Sequence, residues 1–390
     1  MRARLRTQLL RAAAWSSRPF IHPPTAARVE AAPRVLLIRP DHIGDLLFAT
    51  PAIHALRSSL GNAQITCLVG PWAAEILATN RHLDEVMTCP FPGFARRPKR
   101  HLLEPYSVLW ACARDLRIKS YDVAVVLRFD HWWGAMLAYY AGIPRRVGYA
   151  MPSVAPFLTE GLPYSSGKHE VEQNMGLVAA VANKDLGHPG PLEFAPGEQA
   201  LRSAADLLAP LDPRRPYLCL HPGAGAPVKL WRPEAFAQVG DTLARSYGLQ
   251  VVITGSAGEK ALAQSIAGRM ETKTLVVVGQ TDVEELAAIL GKSRLVIGVD
   301  SGPLHLAVSQ GAPTIHLFGP VDHRTFGPWG DPQKHIVLVA KRECIPCNRL
   351  DYGPDELDDH PCVRSISVAQ VLEAADSLLR TDSSVRGGVV

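Results

Sequence analysis

The chain has 390 residues, 47% hydrophobic and 20% charged, the make-up of a globular protein long enough for two cores. No apolar run approaches the roughly 20 residues of a spanning helix, which argues against an integral membrane protein. Of the net charge of +4, residues 1–33 supply six Arg and one Glu, so the rest of the chain stands at −1; a near-neutral body argues against a nucleic-acid binder.

The leader, residues 1–33, opens MRARLRTQLLRAAAWSSRPF. It has the pattern of a basic helix with Leu5, Leu9 and Trp15 toward one side. That pattern suits an anionic lipid surface, an organelle transit peptide or a disordered start.

From Arg34 onward, strands and helices alternate. Strands are expected at 34–39, 63–69, 84–88, 122–128 and 146–149, with helices near 50–60, 72–79, 106–118 and 133–141. Thr50-Pro51 reads either as a helix start or as a proline within a helix that begins near Asp45. Residues 150–170 read as loop and 169–182 as helix. Pro- and Gly-rich stretches at 187–197 and 209–216 flank a helix at 198–208, the expected interdomain connection. The alternation then restarts, with strands at 217–221, 250–254, 274–278, 294–299 and 313–317. Helices follow at 234–247, 258–269, 282–291 and 303–310, and a last one from about 367 to 380. The expected organisation is an N-terminal domain over 34–205, a C-terminal domain over 214–365 and a closing helix over 366–381. Both domains are doubly wound α/β, and ligands of such sheets collect at the carboxyl ends of the strands.

Three strand-end loops of the second half carry candidate ligand groups. HPGAGAPVKLW (221–231) combines Gly223, Ala224 and Gly225, whose small side chains permit close backbone approach, with the cation of Lys229. The spacing is neither a Walker A nor a dinucleotide fingerprint. VDSGPLHLA (299–307) places Asp300, Ser301 and Gly302 ahead of a helix, with His305 in its first turn, an arrangement suited to phosphate and ribose. TGSAGEK (254–260) offers Glu259. Each loop alone is also compatible with an ordinary turn or capped helix. Leaving one sheet edge together, they describe a site for a nucleotide diphosphate.

The first half offers a different chemistry. RVLLIRPDHIGDLL ends its strand in a short loop with Gly44-Asp45. A carboxylate here suits an acceptor hydroxyl, as general base, or positive charge developing at a sugar carbon, better than a phosphate; it is also compatible with a plain helix cap. Arg128 and His131, after a later strand, are weaker acceptor-side candidates. A basic loop at 96–101 suits an anionic head group or sugar acid, or simple solvation. The seven cysteines lie mostly in apolar runs, which suits a reducing compartment. Cys344, Cys347 and Cys362 with His360 make an incomplete match to zinc spacing, and no metal is expected.

These motifs together resemble glycosyltransferase family 9, the group containing the ADP-heptose:lipopolysaccharide heptosyltransferases. The resemblance runs from Arg34 to Leu379. It rests on RVLLIRPDHIGDLLFATPAIHALR, RRVGY (145–149), HPGAGAPVKLWRPEAF, TGSAGE and GVDSGPLHLAVSQGAPTIHLFGP. It implies a GT-B fold of two Rossmann-like domains facing a central cleft, with a C-terminal helix near the interface. It also implies an inverting transferase with no obligatory cofactor or metal. The sugar is expected to be heptose from ADP-heptose, passed to a lipopolysaccharide-type glycolipid or related envelope glycan. Asp45 maps to the general base, Lys229 to a donor-phosphate contact, and Asp300, Ser301, Gly302 and His305 to the nucleotide-diphosphate segment. Glu259 maps loosely to a nucleoside contact. A cytoplasmic enzyme with peripheral membrane contact is the expected setting. Ser301-Gly302-Pro303 departs from the Thr-Gly-Leu of the narrower heptosyltransferases, which bears on the donor. Two other readings share these residues: a sugar-nucleotide epimerase or hydrolase on the same scaffold, and a non-catalytic membrane-surface binding protein.

Overall fold

The computed structural model describes residues 7, 8, 10–12, 32–95 and 103–386. Most of the leader and the whole basic loop at 96–101 lie outside the described residues. Two compact units divide between Gly190 and Pro191.

The first unit is built on six parallel strands: β1 (Arg34–Arg39), β2 (Gln64–Val69), β3 (Glu85–Thr88), β4 (Val123–Val126), β5 (Arg145–Tyr149) and β6 (Glu160–Leu162). Their order is β3-β2-β1-β4-β5-β6. The helices between them are α1 (Ile43–Ser59), α2 (Glu75–Ala78), α3 (Glu104–Lys119), α4 (Trp132–Tyr140) and α5 (Glu170–Ala182). Leu36, Leu37 and Ile38 of β1 are fully buried, each contributing about 1.5–3 kcal/mol. This explains the continuous apolar run of a strand covered on both faces. α1 begins at Ile43, so Pro51 lies inside it. Proline lacks the N–H that would bond the Leu47 carbonyl four residues earlier; the Thr50 hydroxyl donates to that carbonyl instead, at 2.7 Å. β6 falls in the stretch expected to be loop: three residues, only partly buried, carry too little pattern to read.

The second unit repeats the architecture. Its strands are β7 (Tyr217–His221), β8 (Gln250–Ile253), β9 (Thr274–Val276), β10 (Leu295–Val299), β11 (Thr314–Phe318) and β12 (His335–Val339), in the order β12-β11-β10-β7-β8-β9. Its helices are α6 (Glu198–Leu207), α7 (Pro233–Tyr247), α8 (Lys260–Ala267), α9 (Val283–Gly291), α10 (Gly302–Ser309), α11 (His323–Phe326) and α12 (Val368–Arg386). β12 is a strand that the sequence reading passed over.

The division lies earlier than residue 205. α6 buries Ala200 and Ala204 and packs on α9, and the Gly197 amide ahead of it donates to Glu284 at 2.7 Å. The apolar stripe of a connecting helix is legible in sequence, but which core receives it is not. α12 packs on α7, placing Val371, Ala375 and Leu379 in the second core. No helix among the described residues is long and apolar enough to cross a membrane.

Candidate active site

In each sheet the strand order reverses next to the first strand, between β1 and β4 and between β7 and β10. Loops on either side of such a point diverge and leave a crevice at the carboxyl edge. Both groups of candidate residues lie at these two points.

At the first, Arg39 ends β1 with its side chain only 1% exposed. A guanidinium in that position must be paired. It forms an ion pair with Asp41 at 2.8 Å and donates to Glu170 of α5 at 2.7 Å and to Asp45 of α1 at 3.2 Å. It also reaches the Asn174 side-chain carbonyl at 3.3 Å, while the Asn174 amide donates to the Phe48 carbonyl at 3.1 Å, tying α5 to α1. Arg128 closes the far side with ion pairs to Asp41 and to Asp130, the latter at 2.6 Å.

Four carboxylates thus share two guanidiniums, and the environments separate them. Burial works against ionisation of Asp41, but Arg39 and Arg128 outweigh it and hold its pKa below the usual range. Asp45 goes the other way: burial, then the neighbouring Asp41 charge, push it up to about 6 against the pull of Arg39 and Arg128. Its side chain is 27% exposed, whereas Asp41 and Glu170 are nearly enclosed. Asp130, on the far side of Arg128, is 45% exposed; of the three carboxylates around Arg39, Asp45 is the accessible one, and its proton affinity is raised toward neutral pH.

Gly44 is buried in the first turn of α1 beside Asp45. His131 does not line an open surface. It is 4% exposed, packed edge-on to Phe91 and Phe94 at 5.2 and 5.4 Å, and burial lowers its pKa to about 3, so it is neutral. Arg128 remains partly exposed beside Asp130. Sequence reasoning passed over Arg39, Asp41, Glu170 and Asn174. The signal for Arg39 was present: a charge ending VLLIR, a strand apolar on both faces.

At the second crevice, the loop after β7 and the loop after β10 meet. Lys229 and Asp300 form an ion pair at 2.7 Å, with side chains 13% and 9% exposed. The Ser301 hydroxyl is enclosed beside them and has no hydrogen-bond partner among the described residues. Gly302 opens α10, whose amide dipoles favour an anion. Glu259 sits over Gly223 so closely that a β-carbon there would lie 1.8 Å from the carboxylate. Its carboxylate accepts from the amide and hydroxyl of Ser256 at 2.6 and 2.9 Å, so it caps its own helix while facing the glycine loop. Ala224 packs against the core and Gly225 is exposed. His305 is buried, its ring 5.5 Å from that of His316. The loops of Gly223, Glu259 and Asp300 thus leave three adjacent strands, β8, β7 and β10, at one edge.

Cys344 and Cys347 are exposed, while Cys362 is buried beside Ala226, Val228 and Tyr352.

The sequence profile of glycosyltransferase family 9 (heptosyltransferase) matches residues 109–352. The chain belongs to this family. It is 28% identical to lipopolysaccharide heptosyltransferase 3 of Escherichia coli K12 over 73% of its own length and 82% of the relative's. Among solved structures, a family 9 glycosyltransferase from Veillonella parvula superposes with a TM-score of 0.76 at 24% identity, covering 90% of this chain and 98% of that one. The E. coli ADP-heptose lipopolysaccharide heptosyltransferase II superposes with a TM-score of 0.70 at 21% identity, covering 90% and 99%. The fold is GT-B, and this family 9 member is a glycosyltransferase.

Proposed function

We propose that this family 9 enzyme moves heptose from ADP-heptose to a lipopolysaccharide-type acceptor, with inversion and with Asp45 as general base. The observation that carries the reading is the place of Asp45: of the three carboxylates around the enclosed Arg39 it is the accessible one, 3.2 Å from the guanidinium, and burial with the Asp41 charge raises it to about 6. A base of that affinity is largely ionised at neutral pH and still takes a proton as the acceptor oxygen attacks. The acceptor oxygen bonds to the anomeric carbon from the face opposite the leaving group. The bond from that carbon to the diphosphate oxygen breaks, and the hydroxyl proton passes to Asp45. In the second unit, Lys229 and the α10 amides stabilise the charge that collects on the diphosphate. The donor follows from relatives whose names specify ADP-heptose and lipopolysaccharide. The protein groups named supply the charge neutralisation, so no cofactor enters the scheme. A cytoplasmic setting with an envelope glycolipid as acceptor completes it.

The test pairs transfer with binding. Wild type and Asp45→Asn are incubated with ADP-heptose and heptose-deficient lipopolysaccharide, and the product is read by mass. ADP binding is followed by calorimetry. Transfer by wild type, a fall of about 10²–10⁴-fold in Asp45→Asn and unchanged ADP binding are expected. Wild-type transfer by Asp45→Asn refutes the base, and absence of ADP binding refutes the donor.

A further inference from the structure

Among the described residues, six large hydrophobic side chains are exposed: Leu103, Tyr106, Trp110, Ile118, Leu201 and Leu350. Four of them lie on α3 or at its N-cap. Leu103, Tyr106 and Trp110 are 69%, 55% and 59% exposed, on a helix that buries only Leu109, Ala113 and Leu116. Such clustering is not the scatter of single apolar residues normal on a surface.

The spacing orders them. Leu103, Tyr106, Trp110, Arg114 and Arg117 succeed one another by three or four positions and so form a single stripe along the helix. Ile118 borders it. The aromatic half is N-terminal and the basic half C-terminal, with Arg114 77% exposed and in a solvent-facing ion pair with Asp115 at 3.5 Å. The acid Asp115 lies about 100° further round. In the sequence, Arg96, Arg97, Lys99 and Arg100 shortly precede this helix.

We propose that this face of α3 docks the enzyme on an anionic phospholipid bilayer. Tyr and Trp suit the boundary between head groups and acyl chains, where an apolar ring and a polar edge are both satisfied. Arginines beside them meet anionic head groups, each adding attraction that salt weakens. The basic end of the stripe is complementary to a surface of negative charge. Position agrees. In a parallel sheet the helix after β3 starts at the carboxyl edge, and the Trp133 indole donates to the Pro105 carbonyl at 3.3 Å. The aromatic end of the stripe is thus at the sheet edge that carries Asp45. The inference is independent of the donor and base assignments, because docking is measured without sugar substrates.

The experiment is co-sedimentation of the full chain with vesicles of phosphatidylcholine alone and of an equal phosphatidylcholine–phosphatidylglycerol mixture, at low and raised salt. Wild type is expected to partition onto the mixed vesicles and to leave them at raised salt. Tyr106→Ala/Trp110→Ala is expected to lose about tenfold or more in partition. Arg114→Glu/Arg117→Glu is expected to lose the preference for the anionic mixture. All four side chains are exposed, so circular dichroism should be unchanged. Brominated lipid should quench wild-type fluorescence more than that of Trp110→Phe. Equal partition of wild type and both double variants, or no partition by wild type, would overturn the proposal. So would a wild-type dimer that the Tyr106→Ala/Trp110→Ala change converts to a monomer, which would assign the face to self-association.

Discussion

The Arg39 guanidinium, enclosed at the end of β1, reaches the Asp45 carboxylate at 3.2 Å while bonding Asp41 and Glu170 more closely. Arg39 therefore fixes where Asp45 points without claiming its whole charge. Removing it leaves buried carboxylates with Arg128 as the remaining neighbouring cation. Arg39→Met is expected to cost about 3–5 kcal/mol of stability, the usual consequence of breaking a buried pair, seen as a lower denaturation midpoint. Arg39→Lys keeps the charge but cannot serve three carboxylates in fixed directions, so it should retain more stability and still lose turnover. Equal stability of Arg39→Met and wild type would mean that the network is not formed.

The pH dependence of transfer follows from the same cluster. Asp45 accepts a proton only when ionised, and burial with the Asp41 charge holds it at about 6. The value of kcat/KM should therefore rise with pH through about 6 and fall about tenfold per unit below it. Asp41→Asn removes the like charge and releases Arg39 and Arg128 toward Asp45. Both effects favour the ionised form, so the acid limb should move to lower pH. A limb that stays in place, or moves up, would disconnect Asp45 from the rate.

How much of this was legible varies with the physics of each element. Ten strands were readable, the central ones because a strand buried on both faces leaves an apolar run, and Gly and Pro punctuate its ends; β12 was passed over although it has five residues, four of them only partly buried. β6 was not readable, being three residues with one exposed. Gly44-Asp45, Lys229 and Asp300 were legible as strand-end groups. Their partners were not: Glu170 is 131 residues from Arg39, and no local pattern announces that pairing. His131 read as polar lining because sequence does not show the Phe91 and Phe94 rings that enclose it.

Two glycines of the second unit separate loop chemistry from core packing. A β-carbon at Gly223 would meet the end of the flexible Glu259 side chain at 1.8 Å, so Gly223→Ala should displace Glu259 at a stability cost near 1 kcal/mol. A β-carbon at Gly298 in β10 would lie 2.5 Å from the His221 carbonyl oxygen and 2.6 Å from a Leu304 methyl. Backbone cannot yield so easily, and Gly298→Ala should cost about 1–3 kcal/mol. Thermal melts of the two variants, with ADP titrations of each, check the order. A larger stability loss at Gly223 would contradict this packing.

The Lys229–Asp300 pair yields the sharpest test of the donor site. Both side chains are mostly buried, and the enclosed Ser301 hydroxyl beside them lacks a partner among the described residues. In the proposed reaction Lys229 meets the diphosphate, and Asp300 holds the ammonium in place until then. Lys229→Ala should weaken ADP binding about tenfold or more, the equivalent of one charge-assisted hydrogen bond. Asp300→Ala should weaken it by leaving the ammonium unanchored. Because the second residue acts through the first, the double variant should bind ADP about as weakly as Lys229→Ala alone. Calorimetry on the four proteins measures this. Additive losses would show that Asp300 makes its own contact with the nucleotide, and ADP binding indifferent to Lys229 would move the diphosphate away from this loop altogether.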